Sequence, residues 1–370
     1  MGARYRAEQV GSLLRPKALL DARASLAAGA ISAEDLRKIE DEAILAALRM
    51  QREVGLDVYT DGEFRRGSFL GGLADAVDGF VEDKIAMEWH GPGGAPEGSV
   101  AQVVGAKLHQ RRRLSAHEAS FLLRHAPGPI KVTVPSATNF PDVSYKPGLS
   151  DRFYPTRSSL LQEIAQIIRN EVNALATEGI PYIQLDAPRY LYYVDARLRE
   201  QLRARGVDPD LALDEAIATD NAVIEDARRL APAPDTLTLA IHLCRGNSRS
   251  RWFAEGGYDL IAEKLFGRLA VDAFLLEYDT DRAGGFEPLR FVPAGKTVVL
   301  GLVTTKDPTL ESQETLLRRI DEASTYVPME NLALSPQCGF ASVAAGNLLS
   351  EDDQRRKLEL VVETARRAWP

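Results

Sequence analysis

The chain has 370 residues, 45% hydrophobic and 26% charged, with a formal net charge of −8 at pH 7. That composition is globular, and its acidic balance argues against a nucleic-acid surface, which is normally basic. No apolar run is long enough to span a bilayer. The first six residues show neither a signal-peptide core nor the Ser or Thr that N-myristoylation needs at the sixth position. Two cysteines make no disulfide framework. The expectation is a cytoplasmic protein with reduced thiols, no membrane partner and nothing against homo-oligomerisation.

Strand-like and helix-like runs alternate along the chain. Ser32 reads as an N-cap with Asp35 three residues on. Leu36, Ile39 and Ala43 then keep helical spacing up to Gly55. Residues 56–60 read as a strand followed by Asp-Gly-Glu at 61–63, and residues 99–106 as a weaker strand. The stretch 90–98 is rich in Gly and Pro, lacks a phosphate-loop Gly-Lys-Ser/Thr, and reads as a mobile insertion beside the main fold. Residues 129–134 and 182–186 are strand-like. Between them Leu160, Leu161, Ile164, Ile167, Ile168, Val172 and Leu175 form a wide helical stripe. Asp208-Pro209 opens a helix that stops at Pro232. Strand-like runs follow at 237–241, 274–276, 297–303 and 332–334, with a final helix from about Glu351 to Ala368.

This alternation predicts parallel strands with crossover helices. About eight strands fit a (β/α)8 barrel, an α/β fold whose active sites lie at the C-terminal ends of the strands. A doubly wound sheet is the alternative, but no G-x-G-x-x-G follows any strand. The expected organisation is one domain over residues 1–370. Roughly residues 1–55 form an N-terminal extension and helix packed on the barrel, and a loop is inserted later.

Polar and reactive residues cluster at the predicted strand ends. In Thr238-Leu-Ala-Ile-His-Leu-Cys-Arg-Gly-Asn247, His242 and Cys244 are two apart, so on a strand they project side by side. Leu237, Leu239 and Ile241 then face the helices, and Thr238, Ala240 and His242 face inward. Imidazole plus thiolate is a donor set that zinc selects. Cys338, after the run 332–334, is a third ligand. Glu277, at the end of the run 274–276, is a fourth that exchanges with substrate. Zinc held this way activates a thiol as thiolate. A histidine and thiol buried for packing is the bland reading of His-x-Cys alone. A structural zinc site would normally add a second close ligand pair, which is missing.

Read in order, several motifs extend this constellation. They are Gly11-Ser12, residues 55–63 ending in Asp-Gly-Glu, Ile183-Gln-Leu-Asp-x-Pro188, His242-x-Cys244, Leu276-Glu277, Gly301 to Pro308 and Pro336-Gln-Cys-Gly339. With them the chain resembles the catalytic C-terminal half of cobalamin-independent methionine synthase, within the superfamily that includes uroporphyrinogen decarboxylase. The resemblance runs from about Val10 to Gly339. It implies a (β/α)8 barrel and a zinc ion held by His242, Cys244, Glu277 and Cys338. Gly11, Ser12, Glu63 and Asp186 would hold the amino-acid part of homocysteine. The implied activity is that of a 5-methyltetrahydropteroyltriglutamate–homocysteine S-methyltransferase.

The chain also departs from the family. The family's N-terminal half has no counterpart here, and its Arg-Cys segment and tryptophan for the folate donor have no clear match. The region Ala106 to Arg113 is built differently, and Phe140 lies where the aromatic is expected. The family's proton-donating histidine falls at Lys306, which could donate a proton or bind an anion, so Lys306 and Asp186 are the expected catalytic residues. The resemblance therefore implies homocysteine as acceptor and either methyl-folate or methylcobalamin as donor, the latter on a corrinoid protein partner. Two alternatives accompany it. One is a zinc alkyltransferase acting on another thiol such as coenzyme M. The other is a decarboxylase-like lyase or non-catalytic zinc protein on the same barrel.

Other groups are weaker candidates. Arg111, Arg112 and Arg113 read as a solvated face before a polyanion site. Arg245, Arg249 and Arg251 are equally rim contacts or surface. Trp252, Phe253, Tyr190, Tyr192 and Tyr193 read as core packing before an aromatic wall. His90, His109, His117 and His125 have no metal spacing.

Overall fold

The computed structural model describes residues 2–85, 88–92 and 99–370. Six parallel strands form one sheet in chain order: β3 (Lys131–Pro135), β4 (Tyr182–Asp186), β5 (Thr238–Leu243), β6 (Ala273–Glu277), β7 (Thr297–Val303) and β8 (Leu332–Pro336). Two shorter segments complete the ring. The N–H of Glu8 donates to the Leu334 carbonyl at 3.1 Å, and the N–H of Leu334 to that of Arg6 at 2.8 Å. On the other edge Tyr59 donates to Pro129 and its carbonyl accepts from Lys131, both at 2.9 Å. The N–H of Asp57 reaches the Ala7 carbonyl at 3.0 Å, joining the two segments. Residues 6–8 thus lie along the edge of β8 as part of the barrel wall. Residues 56–60, read as a full strand, make a single bridge at Tyr59.

The weak strand at 99–106 belongs elsewhere. It is part of β2 (Ser99–Gln110), which pairs antiparallel with β1 (Val77–Ile85) in a separate ribbon. Of the expected mobile insertion, residues 93–98 lie outside the described residues. His90, at its start, exchanges backbone hydrogen bonds with Trp252 at 2.8 and 3.0 Å.

The helices begin where local chemistry satisfies their first N–H groups. Ser32 and Asp35 form a reciprocal capping box at Ala33–Val54, and Gly55 ends it at φ 92°. Thr156 caps Arg157–Thr177, and Asp208 caps Pro209–Leu230. Ser350 and Asp353 form a second capping box at Glu351–Ala368.

Leu237, Leu239 and Ile241 pack outward, as their parity predicts. The barrel interior is filled by Tyr5, Val10, Val58, Tyr182, Ala240, Ala273, Leu275, Val299 and Ala333. One buried ion pair sits in this lower layer. Lys131 Nζ lies 2.8 Å from Glu8 Oε2, bonds the Gln9 carbonyl, and stands 5.0 Å over the Tyr182 ring. Above that layer the inward positions are polar, and the site begins there.

Candidate metal centre and substrate cavity

β5 delivers His242 inward, and the turn after it brings Cys244 to the same side. The end of β8 delivers Cys338. Their ligand atoms all lie within 4.8 Å of one another, and all three residues are buried. Neither ring nitrogen of His242 has a hydrogen-bond partner among the described residues. A buried imidazole with both nitrogens unbonded is costly. Beside two thiols it has the composition of a zinc ligand set, so the residues present fit the metal. The electrostatics favour a thiolate. The neighbouring Cys244 thiol holds Cys338 well below the ordinary thiol range, against burial and with help from His242 and Lys306. The same contact and burial push Cys244 well above it.

Glu277 ends β6, fully buried, but its oxygens fall outside the three-residue cluster. Oε2 accepts the N–H of Arg245 at 2.7 Å. Oε1 accepts from Arg282 at 2.9 and 3.2 Å.

A cavity of about 430 Å³ opens over the cluster. Ser12, Glu63, Asp186, His242, Cys244 and Cys338 all line it. Sequence positions spread from residue 12 to 338 are thus brought to one cavity. Glu63 sits in a left-handed backbone conformation, φ 58°, stabilised by its N–H on Asp61 Oδ1 at 2.9 Å. Such strain in a non-glycine residue is common at functional sites. Its Oε1 accepts from Thr133 at 3.0 Å, while Oε2 is buried without a partner among the described residues. Gly11 makes room for it, since a Cβ there would stand 2.9 Å from Glu63 Oε1 and 2.8 Å from Thr133 Cγ2. Asp186 accepts from Gln184 at 2.7 Å. Burial, reinforced by the Glu63 charge, pushes its carboxyl up to about 7, against His242 and Gln184. Both carboxyls are raised by burial even though Arg66 acts on each and Arg15 on Glu63, and a cationic ligand group would suit the pair. Ser12 is buried against Gly339, whose segment folds over it through the N–H of Phe340 on the Ser12 carbonyl at 2.9 Å.

Lys306 is nearly buried but is not among the residues lining the cavity. Its Nζ donates to the Gly246 carbonyl at 3.0 Å and to Asn247 Oδ1 at 3.2 Å, behind the turn that carries Cys244. Its charge lowers both thiols. Arg245, read equally as a rim contact or a surface residue, is buried: it bonds the Gly256 carbonyl at 2.6 Å and lies 4.2 Å over the Tyr258 ring. Arg249 is exposed and Arg251 half-buried. Tyr190 is core, hydrogen-bonded to Asp220 at 3.0 Å. The opposite wall is apolar and aromatic. Trp89 and Tyr192 each meet Phe253 edge-on at 5.7 Å, with Arg189 over both Tyr192 and Phe253, and Phe140 alongside. Arg111 and Arg113 are engaged with Asp78, Glu171 and Glu178.

Sequence reading missed Thr133, Gln184, Arg66 and Arg282. Gln184 was discoverable, because it shares inward parity with Asp186. Arg66 holds Thr133 at 3.1 Å and Glu118 at 2.8 Å, long-range contacts that no spacing announces.

The family model for the catalytic domain of cobalamin-independent synthase matches residues 7–114 and 127–366. An uncharacterised Bacillus subtilis protein, YxjH, is 38% identical, covering 99% of this chain and 95% of its own. The methionine synthase of Pyrococcus abyssi is 25% identical over 90% of this chain and 85% of its own. Among solved structures, a putative vitamin-B12-independent methionine synthase from Listeria monocytogenes superposes with a TM-score of 0.71 at 30% identity, covering 100% and 99% of the two chains. A B12-independent methionine synthase from Shewanella, in complex with selenomethionine, gives 0.73 at 19% identity over 98% and 96%, a likeness of fold. The chain belongs to the cobalamin-independent methionine synthase catalytic-domain family.

Proposed function

We propose that this chain is a zinc-dependent methyltransferase that moves a methyl group to the thiol of homocysteine, giving methionine. The carrying observation is that three soft ligands and two buried carboxylates line one cavity. His242, Cys244 and Cys338 would hold the metal, with Glu277 as an exchangeable fourth ligand. Bound there, zinc supplies a lowered thiol pKa and so a thiolate at neutral pH.

The protein's own groups orient the acceptor. Glu63 Oε2 and Asp186 receive the ammonium, and Gly11 leaves the space that Glu63 needs. Ser12 donates to the carboxylate. The acceptor sulfur then forms its bond to the methyl carbon as the bond from that carbon to the donor breaks. Holding both reactants in line contributes as much as activating the nucleophile. Lys306 supports the turn at Gly246 and Asn247 and places a positive charge behind the thiols. The aromatic wall of Trp89, Phe253 and Phe140 faces the donor, methyl-folate or methylcobalamin delivered by a corrinoid protein. The acid pair disfavours coenzyme M as acceptor, because its sulfonate would meet Glu63 and Asp186.

The test incubates zinc-loaded protein with homocysteine and each donor separately, and measures methionine by mass spectrometry. The reading predicts methionine from one of them. No methionine from either, with zinc bound, would overturn it.

A further inference from the structure

Glu277, the acidic group expected at the metal cluster, is held by a largely buried cation that it shares with Asp279. Arg282, five residues on, places Nη2 at 2.9 Å and Nε at 3.2 Å from Oε1. The arginine side chain is 10% exposed, and it is doubly occupied: Nη2 also lies 3.1 Å from Asp279. Its guanidinium stands 4.8 Å over the Trp252 ring. Trp252 is tied to the rim through its backbone pairing with His90.

Removing one partner of a buried ion pair normally strands a charge. Here that penalty is small, because Asp279 keeps Arg282 neutralised when Glu277 leaves. Glu277 in turn keeps the Arg245 N–H on Oε2 as an anchor. The carboxylate therefore has a built resting place close to the cluster. Catalytic zinc needs one position open to ligand exchange, and a free carboxylate beside it would compete for that position.

We propose that Arg282 is a positioning residue that holds Glu277 away from the metal and so keeps the fourth position available to the thiol. The inference rests on the zinc reading above. Asp279 acts as the standby counter-ion, so Glu277 passes between Arg282 and the metal as the thiol leaves and returns.

The test uses the full chain loaded with Co²⁺, whose visible absorption reports coordination, titrated with L-homocysteine. Arg282→Gln retains the metal and binds homocysteine about tenfold more weakly or worse, the scale of one lost charge-assisted hydrogen bond. Arg282→Lys keeps the charge but not the fork and loses less, and it serves if the glutamine variant does not fold. In a Glu277→Ala background, Arg282→Gln leaves thiol affinity within about twofold, since nothing remains to be held back. Wild-type thiol affinity in both arginine variants, or an equal loss with and without Glu277, would overturn the proposal while leaving the metal reading intact. A wild-type chain that takes up neither Co²⁺ nor Zn²⁺ would overturn both.

Discussion

Gly339→Ala is a sharp test of the amino-acid end of the cavity. Gly339 does not have a positive φ, so alanine is acceptable to the backbone and only space is at issue. A Cβ built there overlaps Ser12 Oγ and stands 3.2 Å from Ser12 Cβ and 3.3 Å from Ser12 N. Phe340 and Ala341 bond back to Ser12, so the segment cannot swing away without breaking those bonds. The hydroxyl must therefore move. A hydrogen bond to a charged group contributes about 1.5–3 kcal/mol, so losing the one from Ser12 to a bound carboxylate weakens binding roughly ten- to a hundredfold. Overpacking should cost about 1–3 kcal/mol of stability in addition. Calorimetric titration with L-methionine reads the affinity, while zinc content and circular dichroism check that the rest of the site survives. Ser12→Ala should reproduce the loss, and the double variant should add little to it. A folded Gly339→Ala protein that binds methionine like wild type would refute the placement of Ser12 at the carboxylate.

Glu63→Gln keeps the shape but removes the charge. It should weaken L-methionine about ten- to a hundredfold and leave zinc content unchanged, as measured by calorimetry and plasma emission. The pH dependence follows from Asp186, whose carboxyl is pushed up to about 7 by burial and by Glu63. An ammonium binds the ionised form, so the proton must leave first. L-methionine affinity should therefore rise with pH, by up to about tenfold per unit below pH 7, and level off above it; a flat profile from pH 5 to 8 would contradict this. At the barrel floor, Lys131→Met leaves Glu8 buried without its cation. Urea unfolding should register a loss of about 3–5 kcal/mol, and Glu8→Gln in the same chain should recover part of it.

The chemistry at the strand ends was legible because its signals are local. His242 and Cys244 share a face through a two-residue step, and Leu237, Leu239 and Ile241 mark the opposite face. The long helices announced themselves through Ser32 with Asp35 and through Asp208-Pro209. The barrel itself was expected from the strand count, but the part the chain start plays in closing it was not legible. The segment around Ala7 makes only one bridge to β8, and its partners lie more than 300 residues away. The run 99–106 has strand composition, yet composition does not say whether a strand joins the barrel or pairs antiparallel with β1. Arg245 looked like a rim or surface cation because its burial depends on the Tyr258 ring and the Gly256 carbonyl, contacts with no periodic signature. Arg282 was invisible for the same reason: its meaning lies in Glu277, Asp279 and Trp252 meeting it in space.

The most direct measurement is the metal itself. Purified protein should hold one zinc per chain, and the Cys244→Ser and Cys338→Ser variants should lose it. On adding L-homocysteine, the zinc X-ray absorption edge should gain a sulfur ligand. Protein without zinc, with both serine variants behaving as wild type, would contradict the account at its centre.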